Sequence, residues 1–202
     1  MKFFWNTLYN RLDNFSWMSV GFLCTLLMNL SCLLKGIPLG HNNKFIGLAK
    51  IKRGNKNEIS IGDNCTFRSM ATSNLIGINR PCMISSIGQQ GSSLKIGNNC
   101  GFSGTVISCF IKINIGNNVR CGANTLITDS DWHLDDTRLG PPQAITIKDN
   151  VFLGVNVTVL KGVKIGKNSI IGAGSVVSRD IPDNVIAAGN PCRVVKTISK
   201  TE

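Results

Sequence analysis

Aromatic side chains are scarce in this sequence: Phe, Trp and Tyr together make up 6% of its 202 residues. Proteins that bind single-stranded nucleic acid stack bases on aromatic side chains that are interleaved with basic ones. Here the 22 basic residues are dispersed, with no long run and no such interleaving. The net charge of +11 therefore favours phosphate-bearing small ligands or an anionic membrane surface, and no nucleic-acid partner is expected.

Histidine is also scarce, and the cysteines lack any paired spacing. The chain has only His41 and His133, too few for the three-histidine site of many zinc enzymes, so no metal requirement is expected. Its eight cysteines form no CxxC pair and no compact disulfide pattern, which indicates a reducing compartment. Several of them occupy repeat positions where a small apolar side chain fits: Cys65, Cys100 and Cys121.

Only one stretch, residues 17–34, is long, uncharged and mostly apolar. A cleaved signal peptide is disfavoured, because Asp13 precedes the stretch and no small-x-small site follows before Lys35. A membrane span, a helix in the membrane interface and a helix packed on the end of the domain all stay open. The basic residues between 35 and 56 keep the bulk of the chain on the cytoplasmic side under either membrane interpretation.

A strict six-residue period runs through the second half of the chain. Its aliphatic positions are Ile147, Leu153, Val159, Ile165, Ile171 and Val177. Neither a helix nor an alternating strand has this period, and a β-sandwich would space its strands nearer eight to twelve residues apart. The period predicts a solenoid of short strands. Small or β-branched residues four positions further on are predicted to face inward as well: Val151, Val157, Val163, Ser169 and Ser175.

The repeat begins at Ile61, returns at Ile96 and Ile115, and is interrupted twice. Between Phe67 and Lys95 the register is lost, and the glycines and proline there predict loops bulging from irregular coils. The second interruption, residues 129–143, is polar and contains a Pro pair. Loops on repeat proteins lie outside the stacked core and often carry function.

The run IKDNVFLGVNVTVLKGVKIGKNSIIGAGSVVSRDIPDNVIAAGNPCRVV resembles the C-terminal part of hexapeptide-repeat acyltransferases of the galactoside and maltose acetyltransferase type. The segment IGNNVRCGANTLITDSDWH is similar to the sugar O-acetyltransferases of bacterial capsule, exopolysaccharide and lipopolysaccharide clusters. The resemblance covers about residues 58–198. It implies a left-handed parallel β-helix, a homotrimer, and acetyl-CoA bound between neighbouring subunits. We expect residues 58–202 to form this domain, with loop 129–143 and a C-terminal tail, behind an N-terminal helical and basic segment, 1–57.

The resemblance places the catalytic base of such enzymes at His133. Imidazole titrates near neutrality and suits removal of a proton from an attacking hydroxyl. Asp131 is expected to orient the ring, with Asp129 as a nearby carboxylate, and Trp132 to form a wall of the acceptor site or to pin the loop. Ser103 is the candidate acceptor contact from the preceding coil, where the galactoside enzymes carry Asn.

Contacts to coenzyme A carry over by position from the same resemblance. Backbone groups are implied at Val155 and Ala173, because a rigid coil can aim its N–H groups at the thioester oxyanion. The full implied set is Phe152, Val155, Ala173, Ser178, Arg179 and Arg193.

The sequence thus predicts a cytoplasmic, acetyl-CoA-dependent O-acetyltransferase for a sugar or glycan hydroxyl in surface polysaccharide synthesis, peripheral at the inner membrane. An N-acyltransferase for an amino-sugar nucleotide is the alternative, and a non-catalytic trimeric scaffold is the alternative from another class. Carbonic anhydrases of the same fold need three histidines. Serine acetyltransferases need a long helical domain, for which the 57 residues before the repeat leave no room.

Overall fold

The computed structural model describes residues 19–198; residues 1–18 and 199–202 of the predicted segments lie outside this range. A helix, α1, spans residues 19–34. The strands are β1 (Lys44–Ile46), β2 (Lys50–Arg53), β3 (Glu58–Ile61), β4 (Thr66–Arg68), β5 (Met83–Ser86), β6 (Ser93–Ile96), β7 (Gly101–Ser103), β8 (Val106–Cys109), β9 (Lys112–Ile115), β10 (Arg120–Cys121), β11 (Leu126–Thr128), β12 (Ile145–Ile147), β13 (Phe152–Leu153), β14 (Thr158–Val159), β15 (Lys164–Ile165), β16 (Ile170–Ile171), β17 (Val176–Val177), β18 (Val185–Ala188) and β19 (Arg193–Thr197).

From β1 to β17 every third strand joins the same parallel sheet, so the chain winds as a parallel β-helix with three faces, and its fold class is the left-handed β-helix, as predicted. Sheet A has the order β3-β6-β9-β12-β15, sheet B the order β1-β4-β7-β10-β13-β16-β18-β19, and sheet C the order β2-β5-β8-β11-β14-β17. Each coil visits B, then C, then A, and the chain turns at three corners, called here B–C, C–A and A–B. The strand β19 closes sheet B as the antiparallel partner of β18.

The six-residue period supplies one inward side chain to each face in turn. Ile147 lies in sheet A, Leu153 in sheet B and Val159 in sheet C, and all three are buried. The second predicted inward set, from Val151 to Ser175, is buried too. In sheet C one apolar column crosses all six strands in register: Ile51, Ile84, Ile107, Ile127, Val159 and Val177.

Asparagines turn the chain at the A–B corner. Asn118, Asn150, Asn168 and Asn184 all have φ between 56° and 58°, the left-handed region that Asn tolerates better than most residues. Their side-chain amides form a ladder, with Nδ2 to Oδ1 distances of 3.0, 3.0 and 2.7 Å. The corner therefore repeats because each Asn both adopts the turn and hydrogen-bonds to the next.

The predicted apolar helix caps the first coil with one face. Cys24, Met28 and Cys32 are buried in the core cluster, and the Thr25 hydroxyl accepts a hydrogen bond from Phe45 N at 2.9 Å. The parallel coils include β1 from Lys44, ahead of residue 58, where the resemblance placed the start of the β-helix. The earlier coil lacks a sustained hexad pattern in its sequence, so periodicity alone did not reveal it.

The first interruption contains more regular structure than the sequence indicated. Between Phe67 and Lys95 the chain leaves the coil at residues 69–82, which include a 3-10 helix at Ala71–Ser73, and again at residues 87–92. Between these loops β5 returns to sheet C in register with β2 and β8. The two loops lie at the B–C and C–A corners, respectively.

Candidate active site

Asp129 anchors the loop of residues 129–143 to the coil before it. Its carboxylate is fully buried and accepts hydrogen bonds from the backbone N–H groups of Phe110, Ile111 and Lys112 at 2.7, 2.9 and 2.9 Å. The Asp129 carbonyl also accepts from Gln143 N at 2.9 Å, which closes the loop at its base. A carboxylate with three backbone donors is a strong anchor, so the loop starts from a fixed point.

Lys161, one coil further on, clamps the same loop at two places. Its Nζ donates to Asp131 Oδ2 at 2.5 Å and to the carbonyl of Gly140 at 2.7 Å. The Lys161 side chain is only 18% exposed, so this ion pair is shielded better than a typical surface pair. The two contacts tie the beginning and the end of the loop to one ammonium group.

His133 projects from the clamped loop beside a cavity of about 290 Å³. The cavity lies between residues 88–91 of the first interruption and the tip of loop 129–143, and its lining includes Gln89, Gln90, Leu134 and Leu139. His133 is exposed, its backbone N–H donates to Asp131 O at 2.9 Å, and its imidazole has no hydrogen-bond partner within residues 19–198. The ring is therefore free to meet a substrate.

Trp132 pins the loop from the outside. Its backbone has φ of 71°, a conformation that is costly for a bulky residue, and its indole packs edge-on against Phe110 with ring centroids 5.2 Å apart. The indole is still 53% exposed. Both roles expected of Trp132 are thus compatible with its position, and the acceptor contact stays a prediction.

The Asp131 carboxylate points to Lys161, and within residues 19–198 it forms no hydrogen bond or ion pair with the His133 ring. The ring-orienting role predicted for Asp131 therefore stays a prediction, whereas its contribution to the clamp is visible. Sequence reasoning missed Lys161, because nothing in the hexad pattern shows that a turn residue 30 positions away faces Asp131.

A second group of predicted residues lies at the B–C corner. Ser103, Val155 and Ala173 follow one another along it, joined by backbone hydrogen bonds from Asn124 N to Ser103 O at 2.9 Å and from Gly174 N to Val155 O at 2.8 Å. Phe152, which is 46% exposed, stands beside them on the outer face of sheet B.

Within one chain, the two groups do not meet. Loop 129–143 connects sheet C to sheet A, and Ser178 and Arg179 follow β17 at that same C–A corner, whereas Ser103 and Val155 lie at the B–C corner. The four-residue strand β8 alone separates the corners by roughly 13 Å, at about 3.3 Å per residue. The exposed Arg193 lies on β19 at the C-terminal end of sheet B.

A second cavity, of about 420 Å³, runs along the outer face of sheet B. It has Phe152 and Val155 at one end and Ser103 at the other. The exposed Phe152 ring offers an apolar surface to a slender chain, and this cavity fits the arm of coenzyme A on that ground. The Asn74 amide donates to Ser103 Oγ at 3.1 Å, so an amide stands beside the serine.

The sequence did not identify three polar residues of this cavity: Arg68, Asn74 and Arg120. Asn74 comes from the first interruption, where no repeat register assigned it to a corner. Arg68 and Arg120 occupy outward strand positions that ordinary surface charges also fill.

Cys121, a conceivable covalent nucleophile near this cavity, points into the core. It is buried, and burial raises the pKa of its thiol, so the thiolate is disfavoured. Residues 19–198 also contain no group of three or more His, Cys, Asp or Glu side chains placed to hold a metal ion.

The sequence matches a family model described as bacterial transferase hexapeptide (six repeats) over residues 144–179. It is 41% identical over 115 residues to galactoside O-acetyltransferase of Escherichia coli strain K12, covering 54% of this chain and 56% of that protein. It is 46% identical over 94 residues to galactoside O-acetyltransferase of Lactococcus lactis, covering 45% of each. The matches thus span about half the length of these relatives.

Among solved structures, the fold is similar to AntD, an N-acyltransferase from Bacillus cereus, in complex with dTDP-4-amino-4,6-dideoxyglucose and coenzyme A. The TM-score is 0.61 at 18% sequence identity, covering 85% of this chain and 90% of AntD. At that identity the likeness shows the fold alone.

The coils and the repeat define the class of fold as a hexapeptide-repeat β-helix, of which residues 144–179 carry the bacterial transferase pattern. In the segments that align, the chain is similar to the galactoside O-acetyltransferases.

Proposed function

We propose that the protein transfers an acetyl group from acetyl-CoA to a sugar hydroxyl, with His133 as general base. The observation that carries this proposal is the geometry of loop 129–143. A buried carboxylate and a two-point ammonium clamp hold the loop so that the imidazole, which has no hydrogen-bond partner among residues 19–198, lies at the mouth of a cavity. A positioned base of this kind contributes about 10² to 10⁴ in rate.

The reaction requires one proton transfer in each direction. The His133 imidazole takes the proton of the sugar hydroxyl as its oxygen attacks the thioester carbonyl carbon. Backbone N–H groups of a rigid corner, such as those near Val155 and Ala173, stabilise the oxyanion. When the C–S bond breaks, the imidazolium returns the proton to the departing thiolate, which gives coenzyme A and the O-acetyl sugar without an acyl-enzyme.

The site is completed between subunits of a homotrimer. His133, Ser178 and Arg179 lie at the C–A corner, while Ser103 and Val155 lie at the B–C corner of the same chain. If the C–A corner of one subunit packs near the B–C corner of the next, the base, the acceptor contact and the coenzyme A groove come together. The cyclic symmetry common among homo-oligomers then forms three equal sites.

Thiol release from acetyl-CoA, measured over a panel of glycans and amino-sugar nucleotides, tests this activity. We expect turnover with at least one glycan hydroxyl and its loss in His133→Ala, with His41→Ala as the matched control. Absence of thiol release with every acceptor would favour a non-catalytic scaffold.

N-acylation of an amino-sugar nucleotide is the second candidate, since an amine and a hydroxyl can use a similar base. The stability of the acetylated product in neutral hydroxylamine distinguishes O-acetylation from N-acylation, because hydroxylamine cleaves an ester and does not cleave an amide. A hydroxylamine-stable product formed only with amino sugars would replace the O-acetyl proposal.

The enzyme works in the cytoplasm at the inner face of the membrane, on glycans of surface polysaccharide synthesis. No helix within residues 19–198 is long and apolar enough to cross a membrane. The membrane contact in this proposal is peripheral. It is supported by the second face of α1, where eight large apolar side chains are exposed: Val20, Phe22, Leu23, Leu26, Leu27, Leu30, Leu33 and Leu34.

These eight side chains occupy one side of α1. At 3.6 residues per turn they span an arc of about 160°, opposite the face with Cys24, Met28 and Cys32 that covers the core. A helix that only capped the first coil would be polar on its outer side. An apolar patch of this extent marks an interaction surface, and Phe and Leu suit the interface of a bilayer.

Basic side chains follow α1 in the chain and favour an anionic surface as the partner of its apolar face. Six of them lie between residues 35 and 56, all exposed, against one acidic residue before the next coil, Glu58. None forms an ion pair with another residue of 19–198. An apolar helix face combined with a cluster of basic residues is the two-signal arrangement that gives stable, reversible membrane attachment.

Co-sedimentation with phosphatidylglycerol-containing vesicles tests the attachment. Because α1 also closes the core, point substitutions are cleaner than truncation: Phe22, Leu26 and Leu33→Ser together should abolish binding, with Leu75→Ser as an exposed apolar control. Lys44, Lys50 and Lys52→Gln should weaken binding about a hundredfold, at roughly fivefold per charge, whereas Lys112, Lys164 and Lys196→Gln should change it less. The proposed membrane attachment would be refuted if the wild-type protein did not bind these vesicles. It would also be refuted if the serine substitutions dissociated the trimer instead of abolishing vesicle binding.

A further inference from the structure

The cavity on sheet B contains two guanidinium groups and no carboxylate. Arg68 of β4 and Arg120 of β10 line it, and no Asp or Glu is among its lining residues. Neither guanidinium forms an ion pair within residues 19–198. Two cations therefore face a concave surface without a counter-charge from the described part of the chain.

Local packing holds both guanidinium groups against the sheet. A Cβ added at Gly101 would lie 3.0 Å from Arg120 Nη1, so the absence of a side chain at Gly101 lets Arg120 lie flat over β7. Arg68 Nη1 donates to Ser73 O at 3.3 Å, which ties it to the first interruption. Each guanidinium keeps further N–H donors for a ligand.

The two arginines occupy different positions along the cavity: Arg120 pairs in register with both Phe152 and Gly101, and its guanidinium reaches over Gly101 of β7, away from β13. Arg68 pairs in register with Ser103 across β4 and β7, and Asn74 donates to the same serine. The opposite end is formed by Phe152 and Val155, the residues expected to contact the arm of coenzyme A. The Arg68 charge therefore lies at the end where the acceptor is expected, and the Arg120 guanidinium lies between that end and Phe152.

We infer that the acceptor is an anionic sugar whose carboxylate or phosphate is bound by Arg120 and Arg68. Guanidinium groups match both anions, because they can donate two parallel hydrogen bonds to a pair of oxygens. Asn74 and Ser103 supply neutral hydrogen bonds to the sugar ring. This inference rests on the proposed acetyl transfer and names the chemical class of its acceptor.

Matched acceptors measure the contribution of the charge. Methyl glucuronide and glucose 1-phosphate should each have a kcat/KM at least tenfold above that of methyl glucoside, since hydrogen bonds to charged groups are the strong ones. The two anionic acceptors show whether the carboxylate or the phosphate is preferred. Arg120→Gln should remove the preference with an unchanged KM for acetyl-CoA, and Arg120→Lys should keep part of it; Lys112→Gln is the control.

Equal use of neutral and anionic acceptors by the wild-type protein would overturn the inference. So would an Arg120→Gln variant whose defect lies in the KM for acetyl-CoA, because the cation would then serve the phosphates of the cofactor. Ligand-observed NMR can measure the binding of methyl glucuronide to the inactive His133→Ala variant. This measurement distinguishes failure of the proposed acetyl transfer from failure of the anionic-acceptor inference. Binding without acetylation by the wild-type protein would refute the proposed function alone, and acetylation of neutral sugars without such binding would refute this inference alone.

Discussion

The regular coils of residues 145–177 and the loop of residues 129–143 are held in place by different interactions. In the coils every sixth side chain is buried and each corner repeats the last, so the sequence determines the backbone locally. In the loop almost every side chain is at least partly exposed, and three polar anchors, Asp129, Asp131 and Lys161, fix its course. The coils form a rigid scaffold, and the loop holds the proposed base on it.

The largest effect is expected at the loop tip. His133→Ala should lower turnover by about two to four orders of magnitude, as for loss of a positioned base, with little change in acetyl-CoA binding or in thermal unfolding. Steady-state kinetics and calorimetric titration measure the two quantities. A Cys121→Ala variant that lost activity while His133→Ala kept it would reverse the assignment.

A core substitution in the regular coils should lower stability and leave turnover unchanged, the opposite of the result expected for His133→Ala. Ile165 is fully buried, and Ile165→Ala removes three methyl or methylene groups from a packed interior, which costs about 2–5 kcal/mol. Thermal unfolding at equal protein concentration should show the loss, while turnover per folded enzyme stays near the wild-type value. A large loss of turnover at full stability would mean that the coils contribute directly to the chemistry.

A smaller effect is expected where the loop meets the coils. Lys161→Met removes both clamp contacts and should lower kcat about tenfold, roughly 1.4 kcal/mol in the barrier, because the imidazole is held less firmly. The KM for acetyl-CoA and the unfolding temperature should change little. Lys164→Met, an exposed lysine on the next strand, is the control, and an unchanged kcat in Lys161→Met would show that the clamp does not position His133.

The smallest effect concerns a surface pair within the coils. Lys148 Nζ donates to Asp183 Oδ1 at 3.0 Å, and this hydrogen bond lowers the pKa of the Asp183 carboxyl. The pair therefore stabilises the fold above the unfolded pKa of about 4, and the stabilisation disappears as pH falls through the lowered value. Lys148→Met should flatten this acid dependence slightly in pH-dependent unfolding without affecting turnover; an unchanged acid limb would contradict it.

The sequence predicted the parts of the fold that local rules determine. The hexads placed Leu153 and Ile171 in the core, and Cys65 and Cys100 are buried as small fillers. The coil of β1 to β3 escaped detection, because its short pattern of inward residues does not sustain the hexad repeat.

Only those features of the candidate site that lie within one short stretch of sequence could be predicted. The loop and His133 stood out as an interruption with a recognisable motif. The contacts of Lys161 with Asp131 and of Asn74 with Ser103 join residues 30 and 29 positions apart. Such contacts depend on which corner each loop leaves, and the polar residues themselves carry no periodic signal.

The central claim is that one chain supplies the base and its neighbour supplies the groove, and mixed trimers test it most directly. His133→Ala inactivates one corner, and Phe152→Glu places a charge in the coenzyme A groove at the other. Co-expressed in equal amounts, the two inactive variants should regain about one-quarter of wild-type activity, because random assembly in a cyclic trimer leaves one interface in four with both corners intact. If mixed trimers, verified by two affinity tags, stay as inactive as each variant alone, the site lies within a single chain and the account is contradicted.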